Sequence, residues 1–153
     1  MVDYLCGIIN KDKTSTTMQS ILIVEDDITF STMLRTWLGK KGFQAETAGS
    51  VTPAKRLLEK TAFDLILSDL RLPDDDGITL LPWKKEQGID APLIIMTSYA
   101  DIQNAVLAMK EGASDYVSKP IKPDLLLQKI NDALANGSTD DNDVAEKPAT
   151  DSA

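Results

Sequence analysis

The sequence predicts an open, doubly wound α/β domain with five parallel strands in the order 2-1-3-4-5 and five helices. Three observations predict it. Short apolar runs alternate, through the middle of the chain, with segments whose apolar residues fall three and four apart, the pattern of strand–helix–strand units. The first, third and fourth runs are nearly continuous apolar stretches, as parallel strands buried on both faces require. The second, Gln44-Ala45-Glu46-Thr47-Ala48, is more polar and belongs at an edge. Right-handed crossovers then reverse the chain's direction across the sheet between strands one and three.

The strands fall at residues 21–25, 44–48, 64–68, 92–96 and 114–118. The first helix follows from Phe30, Met33, Leu34, Trp37 and Leu38, one apolar face at helical spacing, with Gly42 placed to end it. Thr52 followed by Pro53 reads as an N-cap with proline at the first helical position, and Leu57, Leu58 and Ala62 then face inward. Gly77 precedes a third helix carrying Ile78, Leu80 and Leu81, in which Pro82 is tolerable only near the first turn. A fourth, around 101–111, turns Ala105, Val106 and Met109 inward and ends at Gly112. Pro123 starts the fifth, whose buried stripe is Leu126, Ile130 and Leu134. The whole is a flavodoxin-like arrangement, and in such sheets ligands bind outside the carboxyl ends of the strands, at the switch point.

That edge is where the polar residues collect. Asp26 and Asp27 follow the first strand, Asp69 the third, Thr97 the fourth and Lys119 the fifth. Carboxylates about 5 Å apart at an effective dielectric of about 20 repel by roughly 3 kcal/mol per pair, so the group calls for a cation. Carboxylate ligands with room for water read as Mg2+, with Mn2+ as an alternative; Asp26, Asp27 and Asp69 supply the oxygens and a main-chain carbonyl near Arg71 completes the set. Lys119 offers a point charge and Thr97 a hydroxyl to a bound oxyanion. An ionised Asp beside Mg2+ is a competent nucleophile toward phosphorus. Each residue alone has a plainer reading. Asp26-Asp27 suits an N-cap and first-turn acid of the next helix, Asp69 can begin a turn rich in Pro, Asp and Gly, and Tyr116 can be an ordinary edge-strand aromatic. The conjunction at four strand ends favours a site.

Composition bounds the function. The 153 residues are 42% hydrophobic and 26% charged, enough for one domain with a core. A net charge of −8 argues against nucleic-acid or anionic-membrane binding by this segment. With no histidine, the chain has no Ser–His catalysis, no histidine metal site and no phosphohistidine step of its own. A single cysteine, Cys6, forms no internal disulfide and fits a reducing, cytoplasmic setting. No apolar run approaches a membrane span. Residues 1–18 read as a loose N-terminal extension with Met18 near a natural start, the alternative being that Tyr4-Leu5-Cys6-Gly7-Ile8-Ile9 docks as an extra element. Residues 19–136 form the domain. Residues 137–153 read as a disordered acidic tail, or a linker to an absent output domain.

Four segments carry a family resemblance. Ile21 to Asp27, Asp69-Leu70-Arg71-Leu72-Pro73 with Gly77, Met96-Thr97-Ser98, and Gly112 to Pro120 resemble a response-regulator receiver domain, in order and in spacing, across residues 19–136. Asp69-Leu70-Arg71-Leu72-Pro73 and Tyr116 to Ile121 look most like receivers of the NtrC type, which often precede an ATPase and a DNA-binding domain. The resemblance implies Asp69 as phosphate acceptor, Mg2+ on Asp26 and Asp27 with the Arg71 carbonyl assisting, Thr97 and Lys119 as phosphoryl contacts, and Tyr116 as an aromatic switch. It implies a cis Lys119–Pro120 peptide and a partner histidine kinase as phosphodonor. The bulk of Arg71 and Tyr99, each two residues beyond a site residue, would crowd an attacking water and prolong the aspartyl phosphate. The helix at 101–111 is the element expected to shift, making the 101–135 face the contact for an output module or a phosphorylation-dependent homodimer.

Three rivals compete. A haloacid-dehalogenase phosphatase wants a second Asp two residues past the nucleophile, where Arg71 stands. A flavodoxin-like flavin carrier needs a hydroxyl-rich phosphate loop after strand one, where Glu25-Asp26-Asp27 would repel phosphate. An unphosphorylated receiver would act as a constitutive interaction module, against which the intact set of five residues argues.

Overall fold

The structure, a computed structural model, describes residues 18–139. The expectations for residues 1–17 and 140–153 lie outside the described residues. Five strands alternate with five helices: β1 (Ser20–Val24), α1 (Ile28–Lys40), β2 (Gln44–Ala48), α2 (Val51–Lys60), β3 (Leu65–Asp69), α3 (Leu80–Glu86), β4 (Leu93–Thr97), α4 (Ile102–Lys110), β5 (Asp115–Ser118) and α5 (Pro123–Thr139). Short 3-10 turns at Gly77–Thr79 and Tyr99–Asp101 lead into α3 and α4. The five strands pair in parallel and the spatial order is β2-β1-β3-β4-β5, the predicted 2-1-3-4-5.

The strand period of two divides the core between the faces of the sheet. Leu22, Val24, Ile66, Leu93 and Ile95 pack with α2, α3 and α4 through Ala54, Leu58, Leu80 and Ala105. Ile21, Ile23, Leu65, Leu67, Ile94 and Met96 face α1 and α5, against Leu34, Leu38, Leu126 and Ile130. At β2 only Ala48 is fully buried, as an edge strand allows.

Several local expectations are revised. Helix α2 begins at Val51, with Ser50 rather than Thr52 at the cap position and Pro53 third in the helix. Its first N–H groups are satisfied from a distance: the Asp74 carboxylate accepts from Val51 and Thr52, both at 2.9 Å. Asp74 thereby does the work of a local cap. In α1, Met33 is exposed although it belongs to the apolar series. In α4 only Ala105 and Ala108 are buried; Val106 and Met109, expected inward, lie at the surface with Leu107. The helix rests on the sheet through its alanines because they allow close approach, which leaves the larger side chains on the flanks.

Candidate functional site

The site is set by strand register. Val24 of β1 pairs with Ser68 of β3, so the next residues, Glu25 and Asp69, stand level at the carboxyl edge. The Glu25 N–H still donates to the Ala48 carbonyl at 2.9 Å, which extends the ladder one residue beyond β1. Across the sheet, Thr97 pairs with Ser118, and the Lys119 N–H donates to the Thr97 carbonyl at 2.7 Å. The Lys119–Pro120 peptide is cis. The ends of β1, β3, β4 and β5 thus lie at one edge of the sheet.

Carboxylate oxygens of Glu25, Asp26 and Asp69 lie within 4.8 Å of one another. Asp27, expected among the metal ligands, is not in this group. It is the N-cap of α1, and its carboxylate accepts the Phe30 N–H at 3.1 Å. The plainer reading of an acid after strand one therefore holds for Asp27, and Glu25 stands beside Asp69 in its place. The signal was in the sequence: aligning the ends of the two apolar runs puts Glu25 opposite Asp69.

Glu25 is almost fully buried, and both of its oxygens are engaged. One accepts from the Lys119 ammonium at 2.8 Å and the other from the Asp27 N–H at 3.1 Å. Burial pushes its carboxyl above the ordinary range, and the nearby Asp69 charge adds to this, against the opposing pull of Lys119 and the Asp27 N–H. Burial acts to lower the Lys119 ammonium, but Glu25 and Asp69 outweigh it and hold the group above its usual value. Lys119 also reaches Asp69 at 3.4 Å and lies over the Phe30 ring, 4.8 Å from the centroid.

Asp69 is held from several directions. Its Oδ1 accepts the Leu70 N–H at 2.9 Å, and its side chain is 14% exposed, so it is oriented yet reachable. The buried Ser68 hydroxyl donates to the Asp69 carbonyl at 3.0 Å. Gly77 is packed directly onto that carbonyl, with no room for a side chain, and its N–H donates to the Leu70 carbonyl at 2.8 Å.

The remaining predicted residues take varied positions. Thr97 is buried and its hydroxyl donates to the Ser98 carbonyl at 3.2 Å. Tyr116 is half-buried against the α2–α4 core, with the Lys129 ammonium over its ring at 5.6 Å and donating to its carbonyl at 3.0 Å. Tyr99 is 81% exposed. The Arg71 side chain is taken up by Asp76 and, bidentately, by Asp101, all at 3.1–3.2 Å. Those acids, Asp101 first, raise its already high pKa. Arg71 thus ties the loop after β3 to the start of α4, a link that no local pattern announces.

An acidic cluster beside an ammonium, at the switch point of a doubly wound sheet, has a donor set that can hold a divalent cation or pair with an oxyanion. The chain belongs to the response regulator receiver domain family, whose model matches residues 21–131. Its relatives include the transcriptional regulatory protein ZraR of Klebsiella oxytoca, 36% identical over 129 residues, which are 84% of this chain and 29% of that protein. The chain therefore spans under a third of the ZraR length. Among solved structures it is similar to full-length FixJ from B. japonicum, with a TM-score of 0.75 and 34% identity over 80% of this chain and 60% of that one. The beryllofluoride-activated NtrC4 receiver domain dimer matches with a TM-score of 0.73 and 28% identity, covering 78% of this chain and 99% of that one. The likeness to ZraR and NtrC4 agrees with the NtrC-type resemblance.

Proposed function

We propose that the chain is a phosphorylation-driven switch in which Asp69 accepts a phosphoryl group from a partner histidine kinase. The observation that carries this reading is the juxtaposition of Glu25, Asp26 and Asp69 with Lys119 at one sheet edge. The three carboxylates fit Mg2+: they are hard oxygen donors, close enough to converge on a small ion, and Asp26 is exposed toward solvent. Glu25, Asp26 and Asp69 would hold the ion, with the Arg71 carbonyl as a further ligand. When bound, it supplies charge neutralisation for the phosphoryl oxygens. Asp27 acts instead through the helix it caps.

The chain's own residues do the rest. The Leu70 N–H fixes the rotation of the Asp69 carboxylate. A carboxylate oxygen attacks phosphorus; the bond from phosphorus to the donor imidazole nitrogen breaks as the acyl phosphate bond forms, and the imidazole leaves neutral or protonated. The Lys119 ammonium, 3.4 Å from Asp69, pairs with the phosphoryl oxygens as their negative charge accumulates. Thr97 exchanges its bond to the Ser98 carbonyl for one to the phosphoryl group, and Tyr116 follows inward. Arg71 and Tyr99 set how readily water reaches the acyl phosphate.

The output runs through the 101–135 face. Exposed Tyr99, Val106, Leu107 and Met109 give the start and flanks of α4 an apolar surface for an output module or a second copy. The transcriptional role named for the ZraR relatives supports an output in transcription. Among the described residues no helix is long and apolar enough to cross a membrane. Beryllofluoride with Mg2+ tests the site: fluorine NMR is expected to show a bound species in the wild type and none in Asp69→Asn, and equal binding by both would refute the assignment.

A further inference from the structure

We propose that Phe30 is a positioning residue, whose ring face holds the Lys119 ammonium beside Asp69 and so sets the affinity of the site for a phosphoryl group. The inference rests on the reading of Asp69 as acceptor and adds a residue to it. A lysine ammonium is a point charge on a flexible four-carbon stem, and its placement depends on what surrounds it. Here Glu25 Oε1 takes it at 2.8 Å, Asp69 Oδ2 at 3.4 Å, and the Phe30 ring lies 4.8 Å from it. The first two partners change their roles when a metal ion or a phosphoryl group arrives, because both are acids of the proposed metal cluster. The ring is neutral and changes with neither. It is the partner that holds the charge while its carboxylate contacts are exchanged.

Phe30 is itself firmly placed. It lies in the first turn of α1, and its N–H donates to the Asp27 cap at 3.1 Å. Its ring and the Lys119 stem share an apolar groove of about 440 Å³ with Met33, Leu34, Trp37 and Pro120. A plain packing role would be served by any apolar side chain of that size. Holding an ammonium by a ring face requires an aromatic one, since the attraction comes from the ring quadrupole. The Asp27 cap then has a consequence at the site: it fixes the turn that carries the ring.

Phe30→Leu and Phe30→Tyr separate the two roles. In wild-type protein labelled at lysine 13Cε, the Lys119 ε-protons are expected to be shifted upfield by the ring current. The shift should vanish in Phe30→Leu and persist in Phe30→Tyr, with no metal or phosphodonor present. In Mg2+ titrations followed by NMR, both variants should bind the ion as the wild type does. For beryllofluoride in saturating Mg2+, Phe30→Leu should bind about three- to tenfold more weakly, and Phe30→Tyr within about twofold of wild type. An unshifted Lys119 signal in the wild type overturns the proposal, as does wild-type beryllofluoride affinity in Phe30→Leu or an equal loss of Mg2+ affinity. A wild type that shows the ring-current shift but binds no beryllofluoride refutes the phosphoryl-acceptor reading instead, and with it the role given to the ring contact.

Discussion

Replacing Gly77 with alanine places a methyl group where the fold has no space. The new Cβ would overlap the Asp69 carbonyl oxygen, lie 2.6 Å from Ser68 Oγ and 3.3 Å from the Asp69 carbonyl carbon. None of these can yield cheaply. Ser68 is fully buried, its hydroxyl is bonded to the same carbonyl, and Asp69 is paired in the sheet with Met96. The loop from Leu70 to Gly77 must therefore move, by something on the order of an ångström, which strains the Gly77–Leu70 hydrogen bond at 2.8 Å. Overpacking of this kind costs about 1–3 kcal/mol, and rigid backbone on the blocked side argues for the upper end. Because the Leu70 N–H orients the Asp69 carboxylate, the same movement should misplace that carboxylate. Urea unfolding of Gly77→Ala is expected to show a loss of about 2–3 kcal/mol, together with weakened Mg2+ binding. Adding Ser68→Ala should recover part of the stability by removing the 2.6 Å contact. A single variant with wild-type stability and wild-type Mg2+ affinity would refute the reasoning.

Other changes separate residues that look alike in sequence. Asp27→Ala should cost about 1 kcal/mol through the lost cap and leave Mg2+ affinity intact, whereas Asp26→Asn should weaken Mg2+ binding without lowering stability; calorimetric titration and urea melts read both. Asp74 is held at about 2, from an ordinary 3.8, because the Thr52 and Val51 N–H groups donate to its charged form. A pKa depressed by folding contributes stability in full above the unfolded value, and loses it as pH falls from near 3.8 toward about 2. The urea midpoint of Asp74→Asn should accordingly fall less over that window than the wild type's. Arg71→Ala removes solvent-screened ion pairs, so its urea midpoint should stay close to the wild type's, while amide exchange at residues 99–104 should quicken. Combined with Tyr99→Ala it should shorten the lifetime of the aspartyl phosphate, measured by intact mass against time.

The sheet was legible because burial on two faces leaves a direct mark: Ile21–Val24, Leu65–Leu67 and Leu93–Met96 have few polar atoms, while the edge strand 44–48 does. That Asp69, Thr97 and Lys119 lie at one edge of the sheet was legible because strand ends and topology alone fix it. The identity of the acids beside Asp69 was less so. Two adjacent aspartates invite pairing, but a helix start also competes for an acid, and Asp27 went to the helix while Glu25 extended the strand. The Asp74 cap on α2 and the Arg71 link to Asp101 join residues 22–30 positions apart. No periodicity encodes contacts of that kind. On α4 the helical pattern was right in kind and rotated in detail, because small alanines sit closest to the sheet.

The most direct test of the central claim is chemical. The protein is incubated with Mg2+ and acetyl phosphate, and its intact mass is measured before and after brief treatment with base. A single phosphoryl adduct that is stable in acid, labile in base, dependent on Mg2+ and missing from Asp69→Asn is the predicted result. No adduct on the wild type, or one that persists in Asp69→Asn, would contradict the assignment of Asp69 as the acceptor.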